Sequence, residues 1–147
     1  MSEQFKFKLA VLLNLRKFNE KKIKIEIGRI ISKITAINEK MKIIKNDIET
    51  GYKSQKNVLK ESTSGLMLKF YPLYFDGKRA DLKECENHLE DLQKQYNEKR
   101  LELQKAMGET KLLEKMELKK RTEHKKNVEK KEQDNIEELF RNKRTVL

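Results

Sequence analysis

Two histidines and one thiol are the natural candidates for chemistry in this chain: His88, His124 and Cys85. An imidazole can ligate a metal or move protons near neutral pH, and a thiolate can attack carbon or bind zinc. Their spacing supports neither use. His88 and His124 lie far apart in sequence, without Cys or carboxylate neighbours at the spacing a zinc site needs. Both read as surface residues, His88 beside an apolar row and His124 in a lysine-rich run. Cys85 falls between Leu82 and Leu89 at apolar spacing, which suits a small core side chain. A single cysteine forms no internal disulfide and fits a reducing compartment. The five glycines are scattered, so no loop cradles phosphate. The 24 Asp and Glu are plentiful, but a slender helical protein has no cleft in which to bury them and shift their titration. The sequence therefore predicts no catalytic residue, no metal or cofactor site, no cofactor and no small-molecule substrate. It does not read as an enzyme.

What remains is surface. Residues 66–75 form the only dense apolar and aromatic stretch, with Leu66, Leu68, Phe70, Tyr71, Leu73, Tyr74 and Phe75. So many large side chains either fold back over Ile48 and Tyr52 or stay partly exposed as a protein-binding patch. A second surface is offered by the ends of the chain. Phe5, Phe7, Leu9, Leu12 and Leu13 could meet Ile136, Leu139 and Phe140, either as plain core or as an end that enters a ring-shaped partner. The basic run from Lys119 to Lys131 is mixed with Glu123 and Glu129, and reads as a solvated helix face held by pairs one turn apart.

These surfaces must be carried by long helices. Ile23, Ile27, Ile30, Ile34, Ile37, Met41, Ile44 and Ile48 alternate in steps of four and three. That repeat keeps one narrow apolar stripe facing a partner helix. Run backwards, the row passes Glu20, Arg16, Leu13 and Leu9, with two polar positions that can set register at some cost in stability. Leu82, Cys85, Leu89, Leu92, Tyr96, Leu103 and Ala106 supply the partner row. Beyond it the apolar residues drift through Leu112, Leu113, Met116 and Leu118, which predicts a stutter. Glu61–Gly65 is the best turn, and a short connection makes neighbouring helices antiparallel. The sequence thus predicts an all-α fold, two long helices in an antiparallel coiled-coil hairpin within one domain, 1–147. Helix 1 covers about 5–60 with fraying after Gly51, a turn and aromatic hairpin region covers about 61–78, and helix 2 covers about 79–141. Helix 2 starts either near Ser64 with Pro72 inside it or only after Gly77.

Composition agrees: 40% of residues are charged, 36% hydrophobic, and there is one proline. The formal net charge is +11, most of it in residues 1–73. Such asymmetry suits nucleic acid, anionic lipid or an acidic protein surface, or simply keeps a helical protein soluble. No apolar run reaches the about 18 residues of a membrane span, and Met1-Ser2-Glu3-Gln4 lacks the marks of a secretion signal. The reading places the chain in the cytoplasm or peripherally on a cytoplasmic membrane face.

The two ends carry a resemblance. Phe5-x-Phe7-x-Leu9 followed by Leu12, Leu13, Arg16 and Glu20 resembles the opening of the flagellar FliJ proteins. Glu129-Lys130-Lys131-Glu132-Gln133-Asp134-Asn135-Ile136-Glu137-Glu138-Leu139 is similar to that family's terminal pattern. The likeness covers nearly the whole chain. It implies a non-enzymatic stalk-like coiled coil of the flagellar type III export apparatus, serving flagellum biogenesis and hence chemotaxis. Its implied partners are the hexameric export ATPase, a membrane export-gate protein and export chaperones, with the chain monomeric on its own. Phe5, Leu9, Leu13, Ile136, Leu139 and Phe140 would then lie on the ATPase end, and Phe70, Tyr71, Tyr74 and Phe75 on the gate side. Pro72 and Gly77 depart from the unbroken helix the family implies, so the gate side is carried over as a region. Two other readings share the architecture. One is a stalk subunit of another secretion system or rotary ATPase. The other is a basic nucleic-acid-binding or scaffold coiled coil, which ranks last because aromatics do not interleave with the basic residues.

Overall fold

The computed structural model describes residues 4–61 and 65–146. Two helices, α1 (Ala10–Lys60, 51 residues) and α2 (Gly65–Val146, 82 residues), pack against each other as an all-α hairpin, with no strand among the described residues. The chain divides into two compact units, one of Ile23–Glu102 and one of Met1–Lys22 with Leu103–Leu147.

In the unit of Ile23–Glu102, the predicted row is the buried one. Ile23, Ile30 and Ile44 are buried, while Ile27, Ile34, Ile37, Met41 and Ile48 are half-buried between them. Tyr71, Phe75, Cys85 and Leu92 face them from α2 as buried residues. The helices run antiparallel. As α1 advances from Glu26 to Asp47, the partner on α2 moves back from Lys99 to Lys78 by the same number of residues. Lys99 Nζ lies 2.7 Å from Glu26 and 3.1 Å from Glu102, and Lys78 Nζ donates to Asp47 Oδ2 at 3.0 Å. The Asp47 hydrogen bond raises the Lys78 ammonium above its ordinary value, and the bonds to Glu26 and then Glu102 do the same for Lys99. These pairs flank the seam without entering it, so they fix register more than they add stability.

The glycine expected to fray α1 does the opposite. Gly51 is helical and buried, and α1 continues to Lys60. A Cβ there would meet Phe75 Cε1 at 2.7 Å and Tyr74 Cε1 at 3.0 Å. The missing side chain is the space the two rings occupy. Helix-propensity loss of about 1 kcal/mol is outweighed by that packing.

The start of α2 also differs from the reading of 61–78 as a separate region. The helix begins at Gly65 and carries Pro72 and Gly77 inside it. Proline withholds one backbone donor, and in a helix interior costs about 3 kcal/mol. Tyr71 and Phe75 on either side are buried, each contributing about 1.5–3 kcal/mol, and stacking adds to this. The aromatic packing therefore exceeds the proline penalty and the segment stays helical. Of the predicted turn, Ser62, Thr63 and Ser64 lie outside the described residues.

In the unit of Met1–Lys22 with Leu103–Leu147, α1 starts at Ala10 rather than near Phe5. A start at Phe5 would put Gln4 at the cap position, where Ser, Thr, Asp or Asn is favoured. Ala10 N–H instead donates to the Phe7 carbonyl at 3.1 Å in a turn. Leu13, Ala106, Thr110 and Leu113 are buried here. The predicted stutter is absent. The inward row continues in threes and fours through Ala106, Thr110, Leu113 and Glu117, and His124 and Val128 keep its phase as half-buried residues. Leu112, Met116 and Leu118, which suggested the drift, are exposed. A threonine can hold a seam position because its Oγ1 donates to the Ala106 carbonyl at 3.0 Å, leaving a methyl to pack. Arg16 fills another polar seam position and meets Glu109 Oε2 at 2.8 Å.

Two consequences are measurable by circular dichroism melts. Gly51→Ala should lower stability by about 1–3 kcal/mol through overpacking. Gly28→Ala and Gly108→Ala, where a Cβ meets nothing within 4 Å, should raise it by about 0.5–1 kcal/mol each. The lysine pairs give an alkaline limb. A raised lysine stabilises fully below its ordinary value of 10.5, and the contribution is lost as pH climbs through the raised value. The wild-type chain should therefore lose more melting temperature above that pH than the Lys78→Met/Lys99→Met variant.

Candidate functional site

The candidate sites are surfaces, one in each unit. In the unit of Ile23–Glu102 the first turns of α2 place their aromatic side chains on two faces. Tyr71 and Phe75 point into the seam and are buried, whereas Phe70 is exposed and Tyr74 half-buried. Tyr52 stacks on Phe75 with centroids 4.3 Å apart at 27°, and Phe70 stacks on Tyr74 at 5.8 Å and 21°. Arg79 donates to the Tyr52 hydroxyl, and its guanidinium lies 5.9 Å from the Phe75 centroid. A notch of about 230 Å³ opens beside Gly51, between Asp47, Ser54, Phe70 and Tyr74. Leu66 and Leu73 join Phe70 on the outward side, all three exposed. Of the four aromatics, Tyr71 and Phe75 are buried against α1, while Phe70 is exposed and Tyr74 half-buried.

In the other unit the structure does not assemble the terminal cluster. Leu13 is buried and Leu9 half-buried. The Phe5 ring lies instead against the His124 imidazole, centroids 5.6 Å apart and tilted at 50°, with the Arg121 guanidinium 4.9 Å from its centroid. His124, read as a surface residue, is thereby half-buried. Ile136, Leu139 and Phe140 are exposed, as is every residue from 129 to 144. Spaced three and one apart, these three share one face of α2. The sequence reading passed over Val11, Leu15 and Phe18, which are exposed on α1. Their spacing of four and three was a legible signal, masked by the neighbouring seam row.

Among the described residues no group of three or more His, Cys, Asp or Glu could hold a metal ion, and no helix is long and apolar enough to cross a membrane. The Cys85 thiol is buried in the seam.

A family model described as "Flagellar FliJ protein" matches residues 5–143. The chain belongs to the flagellar FliJ family. No curated protein and no solved structure matches it. Membership makes this chain a component of flagellar protein export, in a non-catalytic family that interacts with other parts of the export apparatus. The helical hairpin accords with it.

The two faces of the aromatic segment separate stability from recognition. Phe75→Ala should destabilise the chain by about 3–5 kcal/mol, since it empties a buried position and leaves Tyr52 without its stacking partner. Phe70→Ala should cost about 1 kcal/mol or less. Urea unfolding of both variants checks the difference.

Proposed function

We propose that the chain is a stalk-like coiled coil of the flagellar type III export apparatus. It couples the hexameric export ATPase to the membrane export gate and assists export chaperones, without catalysing a reaction itself. The family match across 5–143 carries this reading. In it the chain is monomeric alone and sits peripherally on the cytoplasmic face of the cell membrane, serving flagellum assembly and so chemotaxis.

The geometry sorts the proposed contact residues by what they can do. Ile136, Leu139 and Phe140 are exposed on one face of an α2 segment whose side chains from 129 to 144 are all exposed, which suits insertion into the ATPase ring. Phe5, Leu9 and Leu13 act from behind, since each is at least half-buried. On the gate side Phe70 and Tyr74 are available to a partner, while Tyr71 and Phe75 hold them in place.

The test uses the purified chain and its export ATPase. The chain should bind and stimulate ATP hydrolysis. The Ile136→Ser/Leu139→Ser/Phe140→Ser variant should lose about tenfold or more of the apparent affinity while its helical signal is unchanged. If the wild-type chain neither binds nor stimulates the ATPase, the stalk reading falls.

A further inference from the structure

From 129 to 144 every side chain of α2 is exposed, and Ile136, Leu139 and Phe140 are 54%, 66% and 63% exposed. The face that carries them bears opposite charges at its two ends. Glu132 stands four residues before Ile136, and Lys143 stands four after Leu139. At 100° per residue Glu132, Ile136, Leu139 and Lys143 fall within an arc of about 60°. Their steps of four, three and four are those of a coiled-coil stripe. Neither Glu132 nor Lys143 enters an ion pair among the described residues.

The order acid, apolar, apolar, base is its own complement when reversed. A second copy laid antiparallel on this face sets Ile136 of each molecule against Leu139 of the other. The same register sets Glu132 of each against Lys143 of the other. All four layers fall into place together about one two-fold axis. The positions flanking them carry no charge: Gln133 and Phe140 on one side, Asn135 and Asn142 on the other. The overlap runs from 131 to 144, so each molecule meets only side chains that are exposed in the other. A parallel pair would instead place Glu132 on Glu132 and Lys143 on Lys143, like charge on like. An anionic membrane or a nucleic acid is repelled here, because residues 132–138 hold Glu132, Asp134, Glu137 and Glu138 and no Lys or Arg.

We infer that this end of α2 pairs antiparallel with the same segment of a second copy. The overlap is about 20 Å long. It buries well under the about 1,000 Å² that a lasting interface needs, so the dilute chain stays monomeric and pairing belongs to concentrated solution. Pairing covers Ile136 and Leu139, two of the residues given above to the ATPase. A paired chain is thereby kept off the ring, a consequence that rests on the function proposed above. The pairing itself does not rest on it, and its test contains no ATPase.

Sedimentation equilibrium of the purified full chain from about 1 μM to about 1 mM reads the association. The chain should be monomeric at the lower end and dimeric towards the upper. Glu132→Lys and Lys143→Glu should each weaken the dimer about tenfold or more, since each sets like charges together in two layers. The double variant Glu132→Lys/Lys143→Glu should restore it to within about twofold, because the reversed order is again its own complement. Ile136→Ser/Leu139→Ser should weaken it about tenfold or more. The helical signal should be unchanged in all of these, since every altered side chain is exposed. A chain that stays monomeric throughout overturns the inference. So do single charge variants that associate as the wild type does, or a double variant that fails to restore the dimer.

Discussion

Neither helix of this chain could hold together in water on the strength of its own surface. Both are dominated by charged residues, and each has only one narrow stripe to hide. Burial of that stripe against the other helix is the interaction on which the remaining structure depends. In the unit of Ile23–Glu102 it places Ile23, Ile30 and Ile44 against the α2 row of Tyr71, Phe75, Cys85 and Leu92. In the other unit it gathers Leu13 with Ala106, Thr110 and Leu113. Because the stripe repeats in threes and fours, a shift by one residue would turn it out into solvent. Register is therefore set first by hydrophobic burial and only then refined by charge.

The polar positions are consistent with that order. Glu26 meets Lys99 and Asp47 meets Lys78 at the margin of the seam, and Arg16 reaches Glu109 from a seam position, all partly exposed. Such pairs contribute little energy at a solvated surface, but each is satisfied in one alignment only. Thr110 is the buried exception, and it closes its hydroxyl onto its own helix. No partner across the seam is required of it, so the apolar row passes through without a break.

Packing of the two helices uses up the seam, which moves function to what the seam leaves outside. The same segment can serve both ends of that division. In 65–75, Tyr71 and Phe75 are committed to the core, and Phe70, Leu66 and Leu73 are not. Near the start of α1, Leu13 is committed while Val11, Leu15 and Phe18 are not. Recognition surfaces and seam thus alternate along single helices at the helical period, and a substitution at one residue need not disturb its neighbour.

The seam, the pairing of two long helices and the family were legible in the sequence, because heptad spacing is a local property that no distant contact can hide. The buried state of Cys85 followed from the same spacing. What only the tertiary structure decided were the places where a local rule met a packing partner. Gly51 read as a weak point, yet the rings of Phe75 and Tyr74 need the space it leaves. Pro72 left open whether α2 starts before or after it, and the aromatic residues around it bury enough surface to keep the helix going. Leu112, Met116 and Leu118 read as a drifting seam, yet a polar Thr110 and Glu117 hold the true one. Phe5 read as the partner of Ile136, Leu139 and Phe140, yet its ring rests on His124 and Arg121. The glycine and Phe5 cases turn on contacts between residues far apart in sequence, and at Thr110 a bond within its own helix lets a polar residue hold a seam position.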